Sequence, residues 1–273
     1  PVSQAVLADV VEEHSRGFVF GCVGALHGVA KVLVTYYAIS NIDHWQQCFY
    51  FVAVITGLVS VLCWTQLPKN YGKQTTEPEE GSFTIQAVNN CKKVLQLPSF
   101  AVMIGQGIFG GTPWQAMMFL NMYWLTLGFT NSQAATIAAT THIGGIFGPL
   151  IGGALGDYAS RKVSNSQGRV VVAQTSVLLG IPLWCLLLNQ NVIDRNHMGN
   201  AILIGFLFYL CATWTTYAAN RPICAELVSN SAERAQVVGM WVLIEGCFAS
   251  VLGAPIVGLV SEAFGYKLDS NKV

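Results

Sequence analysis

The chain has 273 residues, of which 53% are hydrophobic and only 10% charged. A soluble domain carries about 25% charged residues, so the composition excludes an ordinary soluble domain and reads as a multi-pass integral membrane protein in a lipid bilayer. The 14 basic and 14 acidic residues cancel, which leaves no electrostatic footprint for a nucleic-acid partner.

Apolar runs close to the ~20 residues that cross a bilayer predict an all-α polytopic fold. The spans fall at about 18–40, 48–67, 99–127, 132–156, 169–189, 199–220 and 236–260. A partial helix bearing Ala8-Asp9 and Arg16 precedes the first. Within the first span Gly17, Gly21 and Ala25, with Gly24 and Gly28, make a double stripe of small residues, a surface for close helix approach. The same span carries His27 and, one turn on, Lys31. Charge inside a bilayer is expensive, and these positions are candidates for a substrate or proton site. A Lys beside a His suits an anionic solute, or a site whose charge changes near neutral pH. Residues 68–98 follow the second span as the longest polar stretch.

The third span contains Gly105, Gly107, Gly110, Gly111, Thr112 and Pro113. Glycines with a proline predict a kinked or unwound helix, a break that exposes backbone to a cavity in transporters. Trp114, Gln115, Asn121 and Tyr123 are its candidate solute contacts. The fourth span holds His142 and a stripe of Gly144, Gly148, Gly152 and Gly156. Lys31 and His142 lie at similar depth, ~21–23 Å from the cytoplasmic edge at ~1.5 Å per residue, and would share one polar pocket if the first and fourth spans are neighbours. The sixth span ends in Trp214, Tyr217 and Asn220, candidate contacts if this span lines the same cavity, followed by Arg221-Pro222. The last carries Glu245, a third intramembrane ionisable group, and the stripe Gly246, Ser250, Ala254, Gly258.

Alternate loops hold Arg16, Lys69, Lys73, Lys92, Lys93, Arg161, Lys162, Arg169, Arg221 and Arg234, against Arg195, Lys267 and Lys272 on the other side. The basic side is cytoplasmic by the positive-inside rule. An internal repeat supports the count. Ala8-Asp9, Arg16 and Gly21 are echoed by Ala225-Glu226, Arg234 and Gly239, each opening an apolar span, with a period of six spans between them. The eight cysteines lack Cys-x-x-Cys spacing and read as free thiols. No metal or cofactor pattern is present, and no His-Glu-x-x-His or Gly-x-Ser-x-Gly motif points to an enzyme.

Gly153, Asp157, Arg161 and Lys162, at the cytoplasmic end of the fourth span, fall in register on the pattern Gly-x-x-x-Asp-(Arg/Lys)-x-Gly-(Arg/Lys)-(Arg/Lys). Tyr158 and Ser160 depart from it. The segment resembles the signature loop of the major facilitator superfamily. Asn-Arg-Pro-Ile-x-Ala-Glu-Leu-Val at 220–228 and Asn-Ser-Gln-Gly-Arg at 165–169 resemble the spinster-like branch and its plant, algal and protist relatives. The resemblance implies part of a twelve-helix fold. Residues 1–67 would be the remainder of an N-terminal bundle (the end of helix 4, helices 5 and 6). Residues 68–98 would be the central cytoplasmic loop, and 99–273 a C-terminal bundle lacking its twelfth helix. On that count the chain is a fragment.

The resemblance also implies a secondary transporter that moves a small organic solute, anionic or lipid-like, by alternating access, with protons as a candidate coupling ion. Asp157 would dock on the helix that begins near Gly17 and close the cytoplasmic side. Arg161 and Lys162 would engage acids such as Asp9, Glu12 or Glu226. Arg16, Gly153 and Arg234 complete the candidate gate. The three glycine stripes would meet across the two halves. The alternative reading is a seven-span membrane receptor. A retinal protein would need its lysine in the last span, whereas Lys31 is in the first.

Overall fold

The computed structural model describes residues 2–40, 45–66, 92–163, 165–228 and 231–263. The central loop from 67 to 91 and the tail from 264 onward, with Lys69, Lys73, Lys267 and Lys272, lie outside the described residues. The described elements are helical. They are α1 (Val2–Val10), a 3-10 turn (Glu13–Ser15), α2 (Arg16–Ser40) and α3 (Trp45–Gln66). Then come α4 (Pro98–Ala116), a 3-10 turn (Met117–Phe119), α5 (Leu120–Thr126), α6 (Asn131–Lys162) and α7 (Asn165–Leu187). Last are α8 (Met198–Ala212), a π-helical turn (Thr216–Asn220), α9 (Arg221–Glu226) and α10 (Ser231–Ala263).

Six of these stretches are long and apolar enough to cross a membrane: Glu13–Thr35, Phe49–Gln66, Asn131–Lys162, Gln167–Leu187, Met198–Glu226 and Glu233–Ala263. The sequence predicts seven; the third is the exception. At 19 residues α4 is long enough, but with Gln106, Gln115, Pro113 and its glycines it is not apolar enough, and past Pro113 it gives way to the 3-10 turn before α5 restarts. The membrane-facing sides are apolar. Every described side chain of α3 from residue 46 onward is exposed, Trp64 to 87%. In water this surface would aggregate; in hydrocarbon it is the expected solvent contact.

The longest inter-helix seam joins α2 and α6, which run antiparallel. A Cβ on Gly21 would strike the Pro149 carbonyl, and one on Gly28 would lie 2.8 Å from the Gly145 oxygen. Gly17 and Gly153 close the same seam at its charged end. Helix association in lipid is driven by close van der Waals packing, which small residues permit. The expected stripes are corrected in two respects. Gly144, Gly148, Gly152 and Gly156 face Phe206, Thr213, Trp214 and Ala218 of the segment from α8 to the π turn, not α2. The adjacent row of Gly145, Pro149 and Gly153 serves the α2 seam. The last stripe is open: a Cβ on Gly246 or Gly258 would meet nothing within 4 Å, whereas Gly253 is packed on Gln115.

The two ends of the bundle are separately sealed. One apolar cluster gathers Trp124, Phe129, Ile137, Leu187 and Ile193. At the opposite end Val94, Phe100, Cys224, Val237, Val238 and Trp241 pack together. α6 is started by a reciprocal cap: the Thr130 N–H donates to Gln133 Oε1 (2.9 Å), and the Gln133 N–H donates to Thr130 Oγ1 (3.3 Å). A cap of this kind is worth about 1 kcal/mol. Cys22, Cys63, Cys185, Cys211, Cys224 and Cys247 are free thiols.

Candidate functional site

Asp157 is 1% exposed, at the charged end of α6. Its Oδ1 accepts from the Gly17 N–H (2.9 Å) and its Oδ2 from the Phe18 N–H (2.7 Å). The first amides of a helix have no partner within the helix. They carry the positive end of its dipole, so a carboxylate there is stabilised by ~0.3–2 kcal/mol. The approach depends on two glycines. A Cβ on Gly17 would stand 2.7 Å from both Asp157 Oδ1 and the Gly153 oxygen, and one on Gly153 would collide with the Gly17 carbonyl.

Arg169 completes the arrangement, and sequence reasoning counted it only as a loop charge. It is fully buried. Nη1 donates to Asp157 Oδ1 (2.9 Å) and to the Ala218 carbonyl (3.3 Å), while Nη2 donates to the Glu13 carbonyl (2.8 Å). Its Nε stands 3.6 Å from Glu226 Oε1, an ion pair without a hydrogen bond. The Ala218 carbonyl is free for a reason legible in the chain. The residue four places on is Pro222, which has no N–H to give it. The π turn (Thr216–Asn220) immediately precedes Arg221-Pro222, as such turns do at functional sites.

Around this core the repeat interlocks. Arg16 donates Nε and Nη2 to the Ala8 carbonyl (3.1 and 2.9 Å). Arg234 donates Nε to the Val228 carbonyl (3.1 Å). Asp9 of the first copy pairs with Arg234 of the second. Glu226 pairs with Arg169. With Glu12 3.1 Å from His14 Nε2, the three acids expected to meet Arg161 and Lys162 are paired elsewhere, and those two expectations are corrected. Arg161 donates Nε back to the Asp157 carbonyl (3.1 Å), and Lys162 lies 6.0 Å from the Tyr158 ring centre. Both are exposed in the last turn of α6, where cations suit the free carbonyls of a helix end.

A cavity of about 860 Å³ opens between α4, α7, the α8–π segment and α10. Of the expected contacts, Trp114, Gln115, Tyr217, Asn220 and Glu245 line it, with Gln106, Trp184 and Trp241, which sequence reasoning missed. Trp114 packs on Phe208 (5.6 Å) and edge-on to Tyr209 (5.5 Å), so it is not an interfacial anchor. Asn220 Nδ2 reaches Gln106 Oε1 at 3.4 Å.

Three expected contacts fall elsewhere. The break after α4 carries Asn121 to an exposed position and Tyr123 to the end cluster, where its hydroxyl donates to the Leu188 carbonyl (3.0 Å). Trp214 faces Gly152 and donates Nε1 to the Leu210 carbonyl (2.6 Å).

His27, Lys31 and His142 also lie outside the lining. The α2–α6 register, with Gly28 opposite Gly145, sets Lys31 beside His142 one turn further on. His27 and Lys31 are exposed. His142 stacks edge-on to Tyr209 (5.5 Å), with a buried Nδ1 that has no hydrogen-bond partner among the described residues. Arg221, which the sequence offers only as a loop residue, holds its guanidinium 4.7 Å above the Tyr217 ring.

No curated protein and no solved structure matches the chain. The family model of the Major Facilitator Superfamily matches residues 1–254 of the 273. An all-helical membrane architecture and a match over nearly the whole sequence give one conclusion: this multi-pass membrane protein belongs to the Major Facilitator Superfamily, a family of membrane transporters.

Proposed function

We propose that the chain works as a secondary transporter of a small organic solute by alternating access, with the seam between α2 and α6 as its moving joint. One observation carries the reading: the Asp157 carboxylate is clamped between the free amides of Gly17 and Phe18 and the buried Arg169 guanidinium. A buried ion pair held mainly against backbone atoms is a poor way to gain stability, since an apolar replacement is often as good. It is a good latch, because it is satisfied in one arrangement only. In the closed state the charges satisfy one another; parting the seam hydrates them. Smooth glycine surfaces let the two helices separate without unmeshing large side chains.

The solute class follows from the cavity rather than from the basic cluster. Its wall is mostly apolar and aromatic with a few polar groups, as small-molecule sites are, and this favours a lipid-like or amphiphilic solute. The anionic class expected from Lys31 and His142 has less support, because neither residue lines the cavity.

The test is a distance measurement on the full-length protein with spin labels on cysteines placed at the exposed positions Val10 and Val163. Two populations are expected, and Asp157→Asn should enrich the longer. A single distance, identical in wild type and variant, would overturn the reading.

A further inference from the structure

We infer that the cavity accepts an amphiphilic cation, with its positive group seated against Glu245 and its apolar body against the tryptophans. The inference rests on the carrier reading above and narrows its solute. Among the described residues that line the cavity, Glu245 alone is a formally charged type; Lys31, His27, His142 and Arg221 are not part of the wall. The nearest large cation is held elsewhere, since the Arg221 guanidinium is stacked on the Tyr217 ring.

The carboxylate is held in place by the backbone of α4. A Cβ on Gly107 would lie 2.7 Å from Glu245 Oε2, and one on Gly111 would lie 3.4 Å from Oε1. The two glycines form the slot into which the side chain fits. Yet Oε2, shut away against Gly107, makes no hydrogen bond among the described residues, although the Trp241 indole N–H lies near the carboxylate. A carboxylate in an apolar wall is costly unless a partner compensates it. A ligand with a positive group supplies that compensation, and an anion is repelled.

The rest of the wall agrees. Trp114, Trp184 and Trp241 line the cavity, and aromatic rings attract a desolvated cation. A volume of about 860 Å³ falls within the ~300–1,000 Å³ typical of sites for drug-sized molecules. Gln106 and Asn220 add a polar edge to the wall.

The experiment uses the full-length protein in nanodiscs of zwitterionic lipid and two probes of equal shape and opposite charge, tetraphenylphosphonium and tetraphenylborate. Saturable binding is measured by equilibrium dialysis above that of empty discs. Wild type should bind the phosphonium saturably and the borate not. Glu245→Gln should lower phosphonium affinity about tenfold or more, and Glu245→Asp should retain most of it. Undiminished phosphonium affinity in Glu245→Gln overturns the inference, as does saturable borate binding of equal strength in the wild type. If Glu245→Gln does not fold, seen as loss of a monodisperse elution peak, the wild-type comparison of the two ions decides alone. Failure here leaves the moving seam standing, since that is tested separately by the spin-label distances.

Discussion

Gly153 passes so close to Gly17 that a single methyl group on it would overlap the Gly17 carbonyl oxygen. The neighbouring backbone cannot yield as a flexible side chain could. Overpacking of this kind costs about 1–3 kcal/mol, and here the closed seam bears the cost. Gly153→Ala should therefore lengthen the Val10–Val163 label distance. Hydrogen exchange at the Gly17 and Phe18 amides should accelerate. Unchanged protection of those amides would show that the seam is not where the strain falls.

Asp157→Asn keeps the side chain's size but removes its charge and leaves Arg169 without its nearest anion. Breaking one partner of a buried pair costs about 3–5 kcal/mol. Arg169→Gln alone should be similarly damaging. The double variant should lose less than the two separate effects combined, with a coupling of about 0.5–3 kcal/mol. Strict additivity in thermal or denaturant melts would mean that the two residues do not act as one unit.

Pro222→Ala should act with opposite signs on two readouts. It returns an N–H to the helix, which can then satisfy the Ala218 carbonyl. Pro222 stands in the first turn of α9, where proline is tolerated, so little propensity is gained. The melting temperature should hold or rise. The same carbonyl would then be less available to Arg169, so the latch should open more often in the spin-label measurement. A stabilised protein with an unchanged latch would exclude this role for the proline.

The loop at the other end of the bundle supplies a pH-dependent element. A hydrogen bond from the His197 side chain, with the backbone amides of Asn196 and His197, holds Asp194 below the usual carboxylate range. A carboxyl group with a lowered pKa stabilises the fold above its ordinary pKa of ~3.9, and that contribution is lost as pH falls through the lowered value. Protection of the Asn196 and His197 amides, corrected for intrinsic exchange, should therefore fall in that acidic range. Asp194→Asn should show no such transition.

Much of this was legible in the sequence because membrane proteins write their constraints locally. Lipid demands long apolar runs, and six of the seven spans are marked to within several residues. The contact between Asp157 and the start of α2 is one that the family resemblance implies, and the attraction of a carboxylate to free helix amides gives it a physical reason. What escaped was decided by side-chain reach. Arg169 is one basic residue among several in the cytoplasmic loops, and only the three-dimensional packing shows its guanidinium meeting Asp157, Ala218 and Glu13. Arg161 and Lys162 look equivalent to it in a motif, yet they point outward. The stripe of Gly144, Gly148, Gly152 and Gly156 was correctly read as a close contact but given the wrong partner. Periodicity identifies a smooth face; it does not say which neighbour lies on it. The rotation of Asn121 and Tyr123 out of the cavity follows from Pro113, whose effect on direction a one-dimensional reading cannot supply.

Most of the bonds around Arg169 and Asp157 end on main-chain atoms: the amides at 17 and 18 and the carbonyls at 13 and 218. The lock therefore grips the spine of the polypeptide and is indifferent to what hangs from it at positions 13 and 18. Drift in those side chains leaves the mechanism untouched, whereas inserting one residue between α1 and α2 would rotate the amides away from the carboxylate. Spacing, more than residue identity, is what inheritance must preserve on this side of the joint.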